Sequence, residues 1–430
     1  MRDLVYGFLQ QLPNRATVFP PQSVTSRAAE ADPADVGVSP AVVEEIWRCV
    51  VSYYETGLQP AMALTIRRGG KVILDRAIGH VRGNDPSAPT DAPVPVSTDT
   101  LFNMFSASKC ITSMLIHLYD DRGLVHLDDP VAEYIPEFAC NGKQHITIRH
   151  LLTHRAGIPL TPAGHASLDN LDDPAKVIAL ICEAEPISLA GRKQAYHALA
   201  GGFIMAEILS RVSDMPVRDL LEKELCEPLG FTHLRYGVPH TDLDRVAREV
   251  FTGPLPRGPF RNAMLRSIGL ELQEAIPLAN DPRFLTGVVP SGNVIASANE
   301  VSRFFELLLR QGTLDGVKIF PARTIKRAVA EYRRFRIDGV IGLPVRYGLG
   351  FMLGGQHIGF YGRRTPRAFG HLGFTNVLAW ADPERDISVA FMNTGKPLIT
   401  PELVLWMRIM WAISDGIPRD YGGDPNSPWR

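Results

Sequence analysis

Cysteine is scarce in this chain and forms no pairing pattern: there are 5 in 430 residues, at Cys49, Cys110, Cys140, Cys182 and Cys226. An odd, scattered set excludes a disulfide framework and points to reduced thiols in a reducing compartment. An excess of one charge is also missing, with 45 basic residues against 46 acidic ones. No field for a polyanion results, and nucleic acid is not an expected partner. The densest basic run, Arg333-Arg334-Phe335-Arg336, reads as a solvated face. No apolar run approaches the roughly 18 residues of a membrane span, so no transmembrane segment is expected. The first ten residues carry Asp3, and the pattern breaks at Pro13 without a sustained apolar stretch. A secretory signal is therefore not expected, and a cytoplasmic location is, with peripheral envelope association left open.

Several catalytic frameworks are missing too. There is no Gly-x-Ser-x-Gly, which excludes the nucleophile elbow of α/β-hydrolases. Neither a P-loop nor a dinucleotide fingerprint occurs, and no cofactor is implied. His150 and His154 stand four residues apart, but a third ligand and a catalytic glutamate at metalloprotease spacing are absent. Both read as structural histidines, with no metal site.

What is present is Ser106-Ala107-Ser108-Lys109, placed where the extended segment 101–105 gives way to a helical pattern. If Ser106 opens that helix, Lys109 lies one turn on and on the same face. A serine hydroxyl needs a neighbour to take its proton, and a lysine can do so only when desolvation disfavours its ammonium form. Met104, Phe105, Ile111, Met114 and Leu115 supply apolar surroundings. Tyr196, after a glycine turn and before a helical pattern, is the candidate second partner, a phenol able to accept and return the proton. Gly370-His371-Leu372-Gly373-Phe374 is the third element. Glycines there let a substrate approach the backbone, and the N–H of Phe374 could join that of Ser106 in an oxyanion hole.

These three motifs, in this order, resemble the serine β-lactamase and penicillin-binding-protein superfamily, in its class C β-lactamase-like branch that includes family VIII carboxylesterases. The likeness runs from Leu101 to Gly230 and resumes at Tyr347–Phe351 and His371–Gly373. It implies Ser106 as nucleophile, Lys109 and Tyr196 as the proton-handling pair, and His371, Gly373 and Phe374 as the substrate-binding strand. It also implies an α/β (α+β) β-lactamase/transpeptidase-like fold, an antiparallel sheet flanked by helices with an inserted, mostly helical domain. The expected division is an N-terminal arm over 1–35, a sheet domain over 36–105 plus 285–430, and a helical insertion over 106–284 with lid loops at 236–284.

Two departures bear on substrate. The family's tyrosine motif carries an amide-reading asparagine two residues after the tyrosine, and here Ala198 stands there. Its strand motif usually begins with a lysine that engages a carboxylate. Here it begins with His371, mostly neutral at neutral pH. Both changes favour a neutral, small-molecule ester, with lipidic substrates left open, and the expected activity is that of a serine carboxylesterase. The alternatives are an acyltransferase with the same triad, a β-lactamase or D-amino-acid peptidase, and an inactive self-assembling scaffold.

Overall fold

The computed structural model describes residues 9, 11–88, 91–158, 167–171, 173–258, 261–262, 265, 268–332, 336–397, 402–419 and 429. Most of the N-terminal decapeptide and of the Arg333–Arg336 run therefore lies outside the described residues, as does part of the 236–284 stretch.

A long antiparallel sheet organises the chain. Its strands are β1 (Thr25–Arg27), β2 (Ala61–Arg68), β3 (Lys71–Arg82), β4 (Arg336–Ile337), β5 (Pro344–Tyr347), β6 (Met352–Leu353), β7 (Phe369–Leu372), β8 (Leu378–Asp382) and β9 (Ile387–Asn393). They lie in the order β1-β3-β2-β9-β8-β7-β6-β5-β4, with Val94–Pro95 pairing to β3 off this path. Residues 69 and 70 turn the hairpin from β2 to β3, as Gly69-Gly70 predicts. The central pairing joins distant parts of the chain, from Ile387 opposite Arg68 to Asn393 opposite Met62. Residues 25–27 of the N-terminal lead-in do not hang loose. They pair with Ile78, Ala77 and Arg76 as an edge strand.

Strand alternation sorts side chains by size. Ala61, Ala63, Ala77, Ala379, Ala381 and Ala390 face one core, with Phe304, Phe305 and Leu308 of the helix Ala298–Leu309. Met62, Leu64, Ile66, Trp380, Val389 and Phe391 face the other, with Ile46 and Val50 of the helix Pro40–Tyr54 and Ile409 and Ile413 of Leu403–Gly416. Period-two alternation decides which face each residue reaches, and the alanine face lets a helix pack close to the backbone. Ser39 precedes the first of these helices, but its side chain makes no capping bond. Pro40 at the first helical position leaves one fewer N–H to cap.

The segment expected to be lid loops is partly helical: Leu272–Ala279 opens with a Glu271/Glu274 capping box, and Pro282–Thr286 is capped by Asp281. Proline density hid both from periodicity: Pro282 opens its helix, where its missing N–H costs nothing, whereas Pro277 lies inside Leu272–Ala279. A small three-stranded sheet of Phe102–Asn103, Val294–Ala296 and Arg235–Tyr236 ties the approach to Ser106 to the 290s. All five cysteines are free, and Cys140 is the exposed one.

Candidate active site

Ser106 sits in a single 3-10 turn, Phe105–Ala107, and the α-helix proper begins at Ser108. The turn is held from both sides. The N–H of Met104 donates to Val294 O at 2.9 Å, and the N–H of Phe105 donates to Asn103 Oδ1 at 2.9 Å. Phe105 adopts a left-handed φ of 47°, a sparsely populated conformation for a bulky residue. Such strain persists where surrounding contacts over-determine it. Here the Phe105 ring lies 5.4 Å from that of Phe374 and under the ammonium of Lys396 at 4.9 Å.

Lys109 is 4% exposed. Its Nζ lies 3.2 Å from Ser106 Oγ, 2.7 Å from Ala198 O and 3.0 Å from Ser291 O. No carboxylate faces it among the described residues, and burial pulls its amine down to about 7. A neutral amine has two N–H donors and one lone pair. The two carbonyls accept from Nζ, as Ser106 Oγ does from the ammonium; once the amine is neutral, its lone pair is left for the Ser106 hydroxyl to donate to.

Tyr196 is buried, and burial pushes its phenol well above its ordinary range, a shift that Ser106 nearby partly opposes. Burial thus acts in opposite senses on the two groups, favouring loss of the proton from the amine and its retention by the phenol. Lys109 Nζ lies 5.0 Å from the centre of the Tyr196 ring. The tyrosine stands in an irregular segment whose three consecutive amides need acceptors. The N–H of Ala195 donates to His154 O at 2.8 Å, that of Tyr196 to Asp338 Oδ1 at 3.1 Å, and that of His197 to His154 Nδ1 at 3.1 Å. Burial holds His154 well below its usual range, so Nδ1 keeps the lone pair this contact requires. Asp338 Oδ1 also accepts from the N–H groups of Val340 and Ile341.

His371, on β7, is neutral, its basicity lowered to about 3 by burial and then by Lys109. Its Nδ1–H donates to Leu372 O at 2.6 Å, and its ring centre is 6.0 Å from that of Tyr196. Gly373 and Phe374 lie just past the end of β7 rather than within it. A Cβ on Gly373 would come within 2.5 Å of Met104 O, so only glycine allows this strand end to lie against the Ser106 turn. The N–H groups of Ser106 and Phe374 have no protein acceptor among the described residues. The three motifs are thus brought together, with a hydroxyl beside a deprotonatable amine, a phenol ring next to both that amine and His371, and two unengaged amides.

Residues 48–410 match the sequence pattern of the Beta-lactamase family. The chain belongs to that family. A β-lactamase-family relative, the esterase/beta-lactamase LipL of Mycobacterium tuberculosis, is 30% identical over 317 residues, 70% of each chain. The crystal structure of a penicillin-binding-protein homologue from Caulobacter crescentus superposes with a TM-score of 0.75 at 28% identity, covering 88% of this chain and 99% of that one. A family VIII carboxylesterase structure reaches 0.74 at 24% identity, covering 87% and 98%, and shows the shared fold. The β-lactamase/penicillin-binding-protein fold and the membership of a serine hydrolase family with esterase relatives are established by these matches. No helix among the described residues is long and apolar enough to cross a membrane.

Within this β-lactamase-family site, three contributors carry no motif. Ser291 offers its carbonyl to Lys109 while its Oγ donates to Ala198 O at 3.1 Å. Gly202 lets the helix Ala200–Ser213 reach that segment, since a Cβ there would meet Ser291 Cβ at 2.5 Å. Asp338 lies 142 positions from the tyrosine it anchors. The signal available for the first two was Ala200-Gly201-Gly202, a glycine pair in a helix start where propensity disfavours it.

Proposed function

We propose that the chain is a carboxylesterase that cleaves neutral esters through an acyl-enzyme on Ser106. The observation that carries this reading is the 3.2 Å contact of Ser106 Oγ with the buried Lys109, an amine with no carboxylate partner among the described residues. Ser106 Oγ attacks the ester carbonyl carbon while Lys109 Nζ takes the hydroxyl proton. The carbonyl π electrons move to oxygen, which the N–H groups of Ser106 and Phe374 stabilise. On collapse the C–O bond to the alcohol breaks, and the leaving oxygen takes the proton of Tyr196, which Lys109 replaces. Water then repeats the sequence on the acyl-enzyme and restores free Ser106. No metal or cofactor is needed for any step.

The neutral His371 supports the preference for a neutral substrate over an anionic β-lactam, because it offers a carboxylate no charge. Incubation with short p-nitrophenyl esters and with a fluorophosphonate, followed by intact mass and peptide mapping, tests the reading. A single adduct on Ser106, lost together with turnover in Ser106→Ala, is expected. Ester turnover surviving in folded Ser106→Ala, or brisk nitrocefin hydrolysis with none of esters, would overturn it.

A further inference from the structure

Beside Ser106 lies a cavity of about 180 Å³ whose lining is almost wholly apolar. Phe105 and Phe374 form its near wall, and Val177, Leu180 and Phe203 stand among the residues of its helical walls. Ser106 itself opens into it, whereas Tyr196 and His371 do not line it. That asymmetry orients an ester. Under the proposed mechanism the departing alcohol is protonated from the Tyr196 side, outside the cavity, so the half of the substrate that stays on Ser106 must occupy the cavity.

Resting on the esterase reading, we infer that this cavity is an acyl-chain pocket and that the substrates are esters of medium-length, unbranched fatty acids. Size sets the length: an apolar protein cavity of roughly 150 Å³ takes a benzene ring, so this one holds about six to eight carbons. Charge sets the class, since among the described residues no ionisable side chain lines it and a polar or charged acyl group would lose its hydration without a partner. Val177 and Leu180, on the helix Pro174–Glu183, belong to the wall contributed by the inserted region rather than by the sheet. They are the specificity-determining positions.

The test is kcat/KM for p-nitrophenyl esters from acetate to dodecanoate, beside a series of acetates of lengthening alkyl alcohols. Each added acyl methylene should raise kcat/KM about fourfold, the worth of one buried CH₂, up to a maximum near about eight carbons. The alcohol series should stay nearly flat. Val177→Trp should lower the octanoate-to-acetate ratio at least about tenfold. A profile that is flat or falls from acetate upward, or a length dependence confined to the alcohol, would overturn the acyl-pocket inference while Ser106 still forms its acyl adduct by mass. Absence of any adduct would instead remove the esterase reading itself.

Discussion

Two fully buried lysines flank the turn that carries Ser106, and they are held in opposite ways. Lys109, on the cleft side, faces two backbone carbonyls and a hydroxyl. Lys396, on the other side, lies 2.9 Å from Glu249 Oε2, donates to Asn393 O at 2.8 Å, and covers the ring of Phe105. Burial lowers both amines, but for Lys396 the adjacent Glu249 carboxylate opposes that pull. Burying a charge costs several kcal/mol unless a partner offsets it, so a lysine without a carboxylate gives up its proton instead. Pairing, rather than depth, separates a lysine fit to act as a base from one fit to hold structure.

The largest effect that sharpens this contrast is on activity. Lys109→Met should reduce ester kcat/KM by about 10²–10⁴-fold, the range for losing a general base, and should raise the melting temperature because a buried amine with no carboxylate partner is gone. Loss of stability without loss of activity would erase the distinction. Lys396→Met should do the reverse, costing about 3–5 kcal/mol in urea unfolding near neutral pH, because it strands Glu249. Burial holds the Glu249 carboxyl up at about 7 even with Lys396 beside it, and without that ammonium it rises further, so the penalty should shrink as falling pH protonates it. A double variant Glu249→Gln, Lys396→Met should recover much of the loss.

An intermediate effect concerns the Tyr196 anchor. Asp338→Ala removes the acceptor for three amides and should lower kcat/KM roughly tenfold to a hundredfold through misplacement of the phenol. Asp338→Asn, which keeps an acceptor oxygen, should restore most of it, an outcome that a merely destabilised fold would not give. The smallest effect is titration. Because the amine must be neutral to take a proton, kcat/KM should climb about tenfold per pH unit below the Lys109 midpoint of about 7 and level off above it.

The motif residues were legible because their chemistry depends on short spacing. Ser106 and Lys109 are one turn apart, and Tyr196 and His371 follow in family order, so resemblance brought them together before any coordinates did. The hairpin was legible from Gly69-Gly70, but the edge strand Thr25–Arg27, in a stretch that reads as an arm, was not. The supporting residues were not. Asp338 and His154 act through backbone amides far away in sequence, and nothing in the local pattern of a buried aspartate or a left-handed histidine says which amide it will meet. Glu249 and Lys396 are separated by 147 positions counted from their numbers, and an ion pair leaves no periodic trace. The helices Leu272–Ala279 and Pro282–Thr286 were hidden because prolines read as breakers, although one opens its helix and the other sits within it.

The most direct measurement is the titration of the Lys109 side chain, followed by carbon NMR of lysine ε-positions and assigned by loss of the signal in Lys109→Met. The account requires a midpoint near 7 in the folded protein, with the amine neutral through most of the active range. A midpoint near the ordinary lysine value of about 10.4 would leave Ser106 beside a permanent ammonium, and the lysine could not be its base.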